Sequence, residues 1–221
     1  MWSKSLIIRE IARNCYRRAI RVAPRSADSY ATHLPILFGL SDILRPRKIV
    51  ECGSGMNSTV QFLDRQAFPL LETLVSIETD SEWLDKVRER VNGDGRVHFI
   101  LEPDAARALS DTLLHDADLV FIDDSYADRR VGTIRAVSRL YEGPGILVVH
   151  DYEIAIIRRA AREMPTRFAF NALNPQTGVL SRGKVIETAR LTRLNEIVRR
   201  YRNELSLEDS AGWRRAFARE M

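Results

Sequence analysis

The sequence predicts a doubly wound α/β fold: a mostly parallel seven-stranded sheet ending in an antiparallel hairpin, with extra helices at both ends. Three observations carry this reading. From Lys48 onward, short apolar runs alternate with amphipathic segments, as strands alternate with helices in crossover units. Leu119–Ile122 and 146–149 are apolar without alternation, as strands covered on both faces are. Finally, the runs 166–173 and 178–181 are separated only by Asn174, Pro175, Gln176 and Thr177, a spacing that suits a hairpin and not a crossover.

Taken in chain order, Ile8, Ile11, Ala12, Cys15, Ala19 and Val22 recur at helical spacing and predict an amphipathic helix ending near Pro24. Asp28 or Ser29 is the expected cap of a second helix running to Leu44, kinked at Pro35. Lys48–Cys52 then reads as a strand, 58–66 as a helix and 74–78 as a strand. Ser81–Val91 reads as a helix capped by Ser81, Val97–Leu101 as a strand, and Asp104 opens a short helix. The strand Leu119–Ile122, a helix at 129–140 and the strand at 146–149 complete the alternation, with a further helix at 154–163 before the hairpin. In the last forty residues, 187–202 is the most periodic helix. The expected division is an N-terminal helical arm (1–45), a ligand-binding α/β domain (46–182) and a basic C-terminal tail (183–221).

Composition limits the function classes. At 221 residues and 45% hydrophobic, the chain suits one sizeable domain and excludes a mostly disordered one. No uninterrupted apolar run approaches the roughly 18 residues of a membrane span. Arg9, Arg13, Arg17, Arg18 and Arg21 break up the N-terminal apolar residues, so a secretory signal is not expected. Two cysteines, Cys15 and Cys52, make no disulfide framework and lack metal-ligand spacing, which predicts a reducing, cytoplasmic setting. The net charge of +4 conceals an acidic middle (net −6 over 26–181) between basic ends, net +6 over 1–25 and +4 over 182–221. Such arms attract anionic partners, or are simply solvated helix faces. Their apolar stripes are also candidates for a homodimer contact.

In doubly wound sheets, ligands bind beyond the carboxyl ends of the strands. The first strand ends in Glu51 and Cys52 and is followed by Gly53, Ser54, Gly55, Met56, Asn57 and Ser58; the alternating glycines allow a tight turn and close approach of a ligand to backbone. Glu78 ends the second strand, where a carboxylate can accept both hydroxyls of a ribose. Glu102, Pro103 and Asp104 follow the third, Asp123 and Asp124 the fourth, and His150 and Asp151 the fifth. Ser58 stands where a dinucleotide fingerprint wants a third glycine, which weakens an NAD-binding oxidoreductase reading. No phosphate-binding Gly-rich loop with Lys-Ser/Thr is present.

With these motifs the chain resembles the class I S-adenosylmethionine-dependent methyltransferases over roughly residues 45–182. Ile49 through Gly55 looks like the family's first motif, Val75 through Glu78 its ribose-binding strand, Asp118 through Asp123 its fourth-strand motif, and Gly143 through Asp151 its turn and fifth strand. The resemblance implies a Rossmann-like methyltransferase fold and S-adenosyl-L-methionine as cofactor. It further implies that Gly53, Ser54 and Gly55 lie along the methionine part, that Glu51 stands near its amino group, and that Glu78 holds the ribose. Asp104 would face the adenine amine and Asp123 the transferred methyl. Catechol-type members hold Mg²⁺ through acids after the fourth and fifth strands; Asp123 and Asp151 match those positions, while Tyr152 replaces the adjacent Asn.

A hydroxyl acceptor needs a base or a metal. Asp123, His150 and Asp151 are the expected catalytic residues, with Asp124, Tyr126 and Tyr152 as weaker candidates. The expected activity is methyl transfer to a hydroxyl of a small-molecule or glycan-like acceptor. Against nucleic acid as substrate, the position after the fourth strand lacks an Asn/Asp-Pro-Pro-aromatic motif, and the arms carry no aromatic stacking stripe. The rival is a non-catalytic or NAD-binding Rossmann-like protein whose basic arms hold an anionic partner.

Overall fold

A computed structural model of the chain describes residues 31–142, 145–183 and 188–204. The helix expected over 8–22, and the caps expected at Asp28 or Ser29, lie outside the described residues.

The described chain opens with α1 (Leu34–Leu44), whose residues Leu34 to Ser41 are all buried. Pro35 occupies its first turn, where a missing N–H costs nothing, so it starts the helix and does not kink it. Then follow β1 (Lys48–Cys52), α2 (Ser58–Phe62), β2 (Thr73–Glu78), α3 (Ser81–Val91), β3 (Val97–Leu101), α4 (Ala105–Ala108), α5 (Asp111–Leu114) and β4 (Leu119–Ile122). After these come α6 (Ala127–Leu140), β5 (Ile146–His150), α7 (Ala155–Ala160) with a 3₁₀ turn at Ala161–Glu163, β6 (Thr166–Phe170), β7 (Thr177–Ser181) and α8 (Thr188–Glu204).

Several boundaries differ from expectation for local reasons. Asp80, not Ser81, caps α3, its carboxylate accepting the Trp83 N–H at 2.9 Å. The strand expected over 166–173 stops at Phe170, because the Asn171 and Ala172 N–H groups turn to the Asn195 side-chain oxygen of α8 (3.0 and 2.8 Å). The helix expected over 154–163 tightens into a 3₁₀ turn after Ala160.

The seven strands form one sheet in the order β3-β2-β1-β4-β5-β7-β6. Five are parallel and the β7 hairpin strand runs antiparallel to both β5 and β6. The order reverses between β1 and β4, whose ends Cys52 and Ile122 are register partners. That reversal is the topological switch point, where a crevice opens.

Strands β1, β4 and β5 are buried on both faces, and their side chains alternate between two cores. Ile49, Leu119, Phe121 and Val148 join α1, α2 and α8 on one face. Val50, Val120, Ile122, Leu147 and Val149 join α4 to α7 on the other. Residues 31–45, assigned to the arm from sequence, thus form part of the first core. Gly39 lets α1 and α8 approach: a Cβ there would lie 2.4 Å from a Leu194 methyl. No helix among the described residues is long and apolar enough to cross a membrane.

Candidate active site

The turn after β1 is built from glycine's freedom and a buried acid. Gly53 has φ +93°, and a Cβ on it would stand 2.5 Å from the Asp123 carbonyl oxygen, so backbone and space both demand glycine. Its N–H donates to Ile77 O and the Asp123 N–H donates to Cys52 O, both at 2.8 Å, which carries the strand pairing into the turns. Gly55 N–H donates to Thr59 Oγ1 at 2.8 Å.

Glu51 lies beneath this turn, fully buried. One carboxyl oxygen accepts from Thr59 Oγ1 and Ser76 Oγ, each at 2.6 Å, and the other has no hydrogen-bond partner. Burial pushes its pKa up to about 7, against the opposing hydroxyl hydrogen bonds.

Glu78, at the end of β2, points at the glycine turn. Its Oε2 accepts the Ser54 N–H at 2.9 Å and its Oε1 accepts those of Thr79 and Asp80 at 2.7 and 3.0 Å. Oε2 takes a single N–H and keeps acceptor capacity. Trp83 leans over the same turn, its indole N–H donating to Ser54 O at 2.7 Å and its ring 39% exposed. Nothing in the sequence marks Trp83 beyond its place in the first turn of a helix. Asp104 caps α4 through the Ala106 N–H at 3.1 Å and leaves its side chain half-exposed at the end of β3. Its hydrogen bonds are with its own turn, not with the glycine turn or Glu78.

The ends of β4 and β5 bring together a second group: Asp123, His150 and Asp151, as expected, plus Arg130 and His33. Arg130, on α6, is buried, and its guanidinium reaches Asp123 Oδ1 (3.0 Å), Asp151 Oδ2 (2.7 Å) and the carbonyls of Asp124, Ser125 and His150. Ser125 and Asp151 both hold positive φ, 44° and 56°, without being glycine. Such backbone costs on the order of 1–3 kcal/mol per residue, and Arg130 fastens both positions. Nothing in the sequence distinguished Arg130 from the chain's other arginines.

His150 is buried between Asp123 Oδ1, 3.2 Å from its Nδ1, and Thr32 Oγ1, 3.0 Å from its Nε2. Burial favours its neutral ring, yet Asp123 and then Asp151 outweigh it and raise its pKa above the ordinary value. Burial likewise works to raise the Asp123 carboxyl, and His150, Arg130 and His33 overcome it, holding that carboxyl below the usual range. Asp124 turns inward, accepts from Thr133 Oγ1 at 2.7 Å and is pushed up to about 6 by burial. Tyr126 is exposed, whereas Tyr152 is buried against Gly178, where a Cβ would lie 2.4 Å from its ring.

The catechol-type Mg²⁺ pair does not fit. Arg130 lies between Asp123 and Asp151 and is ion-paired to both, so an ion bridging these two acids would have to displace a permanent cation. A nucleoside carrying a diol does fit the first group: Glu78 retains acceptor capacity beside a turn with glycine on either side of Ser54, at the switch point.

The sequence matches no protein-family model and no curated protein sequence. Solved structures do match. Cofactor-bound Rv0187 from MTB is 23% identical, with 78% of this chain and 90% of that chain covered at a TM-score of 0.52. Human methyltransferase-like protein 13, in complex with SAH, is 13% identical, with coverage of 74% and 87% and a TM-score of 0.52. The SAH-bound Podospora anserina methyltransferase PaMTH1 is 14% identical, with coverage of 76% and 87% and a TM-score of 0.51. The chain spans only 55% and 56% of two spermidine synthase structures, one from Thermotoga maritima, at TM-scores of 0.46 and 0.48. The fold of this chain is that of the class I S-adenosylmethionine-dependent methyltransferases.

Proposed function

We propose that the protein is an S-adenosylmethionine-dependent methyltransferase acting on a hydroxyl of a small-molecule or glycan-like acceptor. One observation carries the reading: Glu78 is aimed at the glycine turn at the switch point and is held there by the Ser54 N–H. When bound, S-adenosylmethionine supplies a methyl group on a sulfonium, which has a good leaving group built in. Glu78 would accept the ribose hydroxyls, Gly53, Ser54 and Gly55 would lie along the methionine part, and Asp104 would meet the adenine amine. Glu51, buried beneath the turn, would act through it by holding Thr59 and Ser76 in place.

Asp123 lies at the methyl-transfer end of this arrangement. It would orient the acceptor hydroxyl and take its proton at Oδ2, since Oδ1 is engaged by Arg130 and His150. The lowered pKa makes Asp123 a weak base, so most of the rate would come from alignment, worth roughly 7–11 kcal/mol in well-oriented reactions. His150 has both ring nitrogens committed and would position Asp123. Asp151, tied to Arg130, would shape the same wall.

The free, buried thiol of Cys52 supports a reducing setting such as the cytoplasm. Nucleic acid as acceptor gains no support from the residues after β4, where Ser125 and Tyr126 follow the acid pair. A homodimer through the terminal helices remains part of the proposal.

Calorimetric titration tests the reading. S-adenosylmethionine or its demethylated product should bind one per chain, and Glu78→Ala should weaken binding at least tenfold. Unchanged affinity in that variant would remove Glu78 from the site.

A further inference from the structure

Beside Asp123 and His150 lies His33, which has no part in the methyl transfer proposed above. His33 is 2% exposed, and neither of its ring nitrogens has a hydrogen-bond partner. Burying polar groups without partners leaves their desolvation cost unrepaid, so an unpartnered buried imidazole calls for an explanation. Its Nδ1 faces Asp123 Oδ2 at 4.0 Å, and its ring meets that of His150 edge-on, centroids 5.0 Å apart. One ligand atom from each of His33, Asp123 and His150 lies within 4.8 Å of the others.

We propose that His33, Asp123 and His150 form a binding site for a divalent transition-metal ion of the zinc class. Two imidazoles and one carboxylate are the donor set of catalytic zinc sites and of mononuclear iron sites, and they disfavour Mg²⁺, which prefers oxygen. Ligand atoms about 2.0 Å from a tetrahedral ion stand roughly 3.3 Å apart. His150 Nδ1 stands 3.2 Å from Asp123 Oδ1 and His33 Nδ1 stands 4.0 Å from Oδ2, so a turn of the carboxylate and of the two rings brings one oxygen to both.

The surroundings are arranged for it. Thr32 Oγ1 donates to Pro175 O at 2.9 Å and therefore accepts from His150 Nε2–H, which fixes the ring with Nδ1 turned to Asp123. Arg130 is the opposing charge; Asp151 balances it, and it occupies Asp123 Oδ1, leaving Oδ2 toward His33. Three protein ligands leave an open position. On the methyltransferase reading, an acceptor hydroxyl bound there would be acidified by the ion and would lose its proton to solvent, with Asp123 serving as a ligand in place of a base.

The test uses the full chain stripped of metal by chelator. Zn²⁺ should bind with a stoichiometry of one in competition with a chelating dye, and Mg²⁺ should not compete. His33→Ala should lower Zn²⁺ affinity by about 100-fold or more, and Thr32→Val by about tenfold. His98→Ala and His115→Ala, which alter exposed histidines outside the cluster, should leave it unchanged. Anomalous diffraction at the zinc edge from crystals of the unmodified chain needs no variant to fold, and should place the ion between the three side chains. An ion located elsewhere, or His33→Ala binding Zn²⁺ as tightly as the parent, overturns the proposal. Because S-adenosylmethionine binding is titrated without metal, an intact cofactor titration with no zinc site would sink this inference alone.

Discussion

Glu51 and Glu78 stand on neighbouring strands, yet their surroundings give them opposite characters. Glu78 accepts three backbone N–H groups at the sheet edge, whereas Glu51 is sealed in the interior with one oxygen bare. The pKa of Glu51, raised to about 7 by burial, has a consequence for stability. The unfolded chain releases this proton near its ordinary value of 4.5, while the native state retains it up to about 7. Between those values the native state binds more protons, so stability falls as pH rises. Glu51→Gln removes the ionisation and should be more stable than the parent at pH 8 by about 1–3 kcal/mol, with the difference gone by pH 4. Urea unfolding at both pH values measures this; a variant equally destabilised at pH 4 and pH 8 would show that the carboxyl does not titrate as described.

At the scale of elements, α6 is the member that organises the site. Through Arg130 it holds the turns after β4 and β5 together, including the positive-φ residues Ser125 and Asp151. Arg130→Met keeps most of the apolar stem and deletes the charge, leaving Asp123 and Asp151 without their shared partner. Breaking such buried pairs costs about 3–5 kcal/mol, and the urea midpoint should drop accordingly. A loss below about 1 kcal/mol would mean that the strand-end turns hold without the guanidinium.

The strand ends were legible because period and position are written into the chain. Gly53, Glu78, Asp123 and His150 each follow an apolar run, and the sheet carries each to the same edge. Arg130, His33 and Trp83 were not legible. Arg130 reaches the site only through the packing of α6, and His33 only because α1 lies against the sheet. No local pattern encodes such tertiary contacts. Asp151 shows the same limit: its position was readable, but its pairing with Arg130, which removes it as a Mg²⁺ ligand, came from a helix 21 residues away in sequence.

For the whole molecule, the strand order places the glycine turn and the Asp123 turn side by side across the switch point, since Cys52 pairs with Ile122. Glu78 reaches the glycine turn from the other side, because β2 pairs with β1 in register through Cys52 and Ile77. The two site groups are thus separate in chemistry but stand side by side at the ends of four adjacent strands, β2, β1, β4 and β5. A nucleoside should therefore lie along the edge from β2 toward β4, its sugar at Glu78 and its sulfur at the glycine turn near Asp123. A crystal structure of the chain soaked with S-adenosylhomocysteine tests this most directly. Both ribose hydroxyls should lie within hydrogen-bond distance of Glu78, with the thioether beside Gly53 and Gly55. A nucleoside bound with its ribose away from Glu78, or a crystal saturated with ligand yet showing none at this edge, would contradict it.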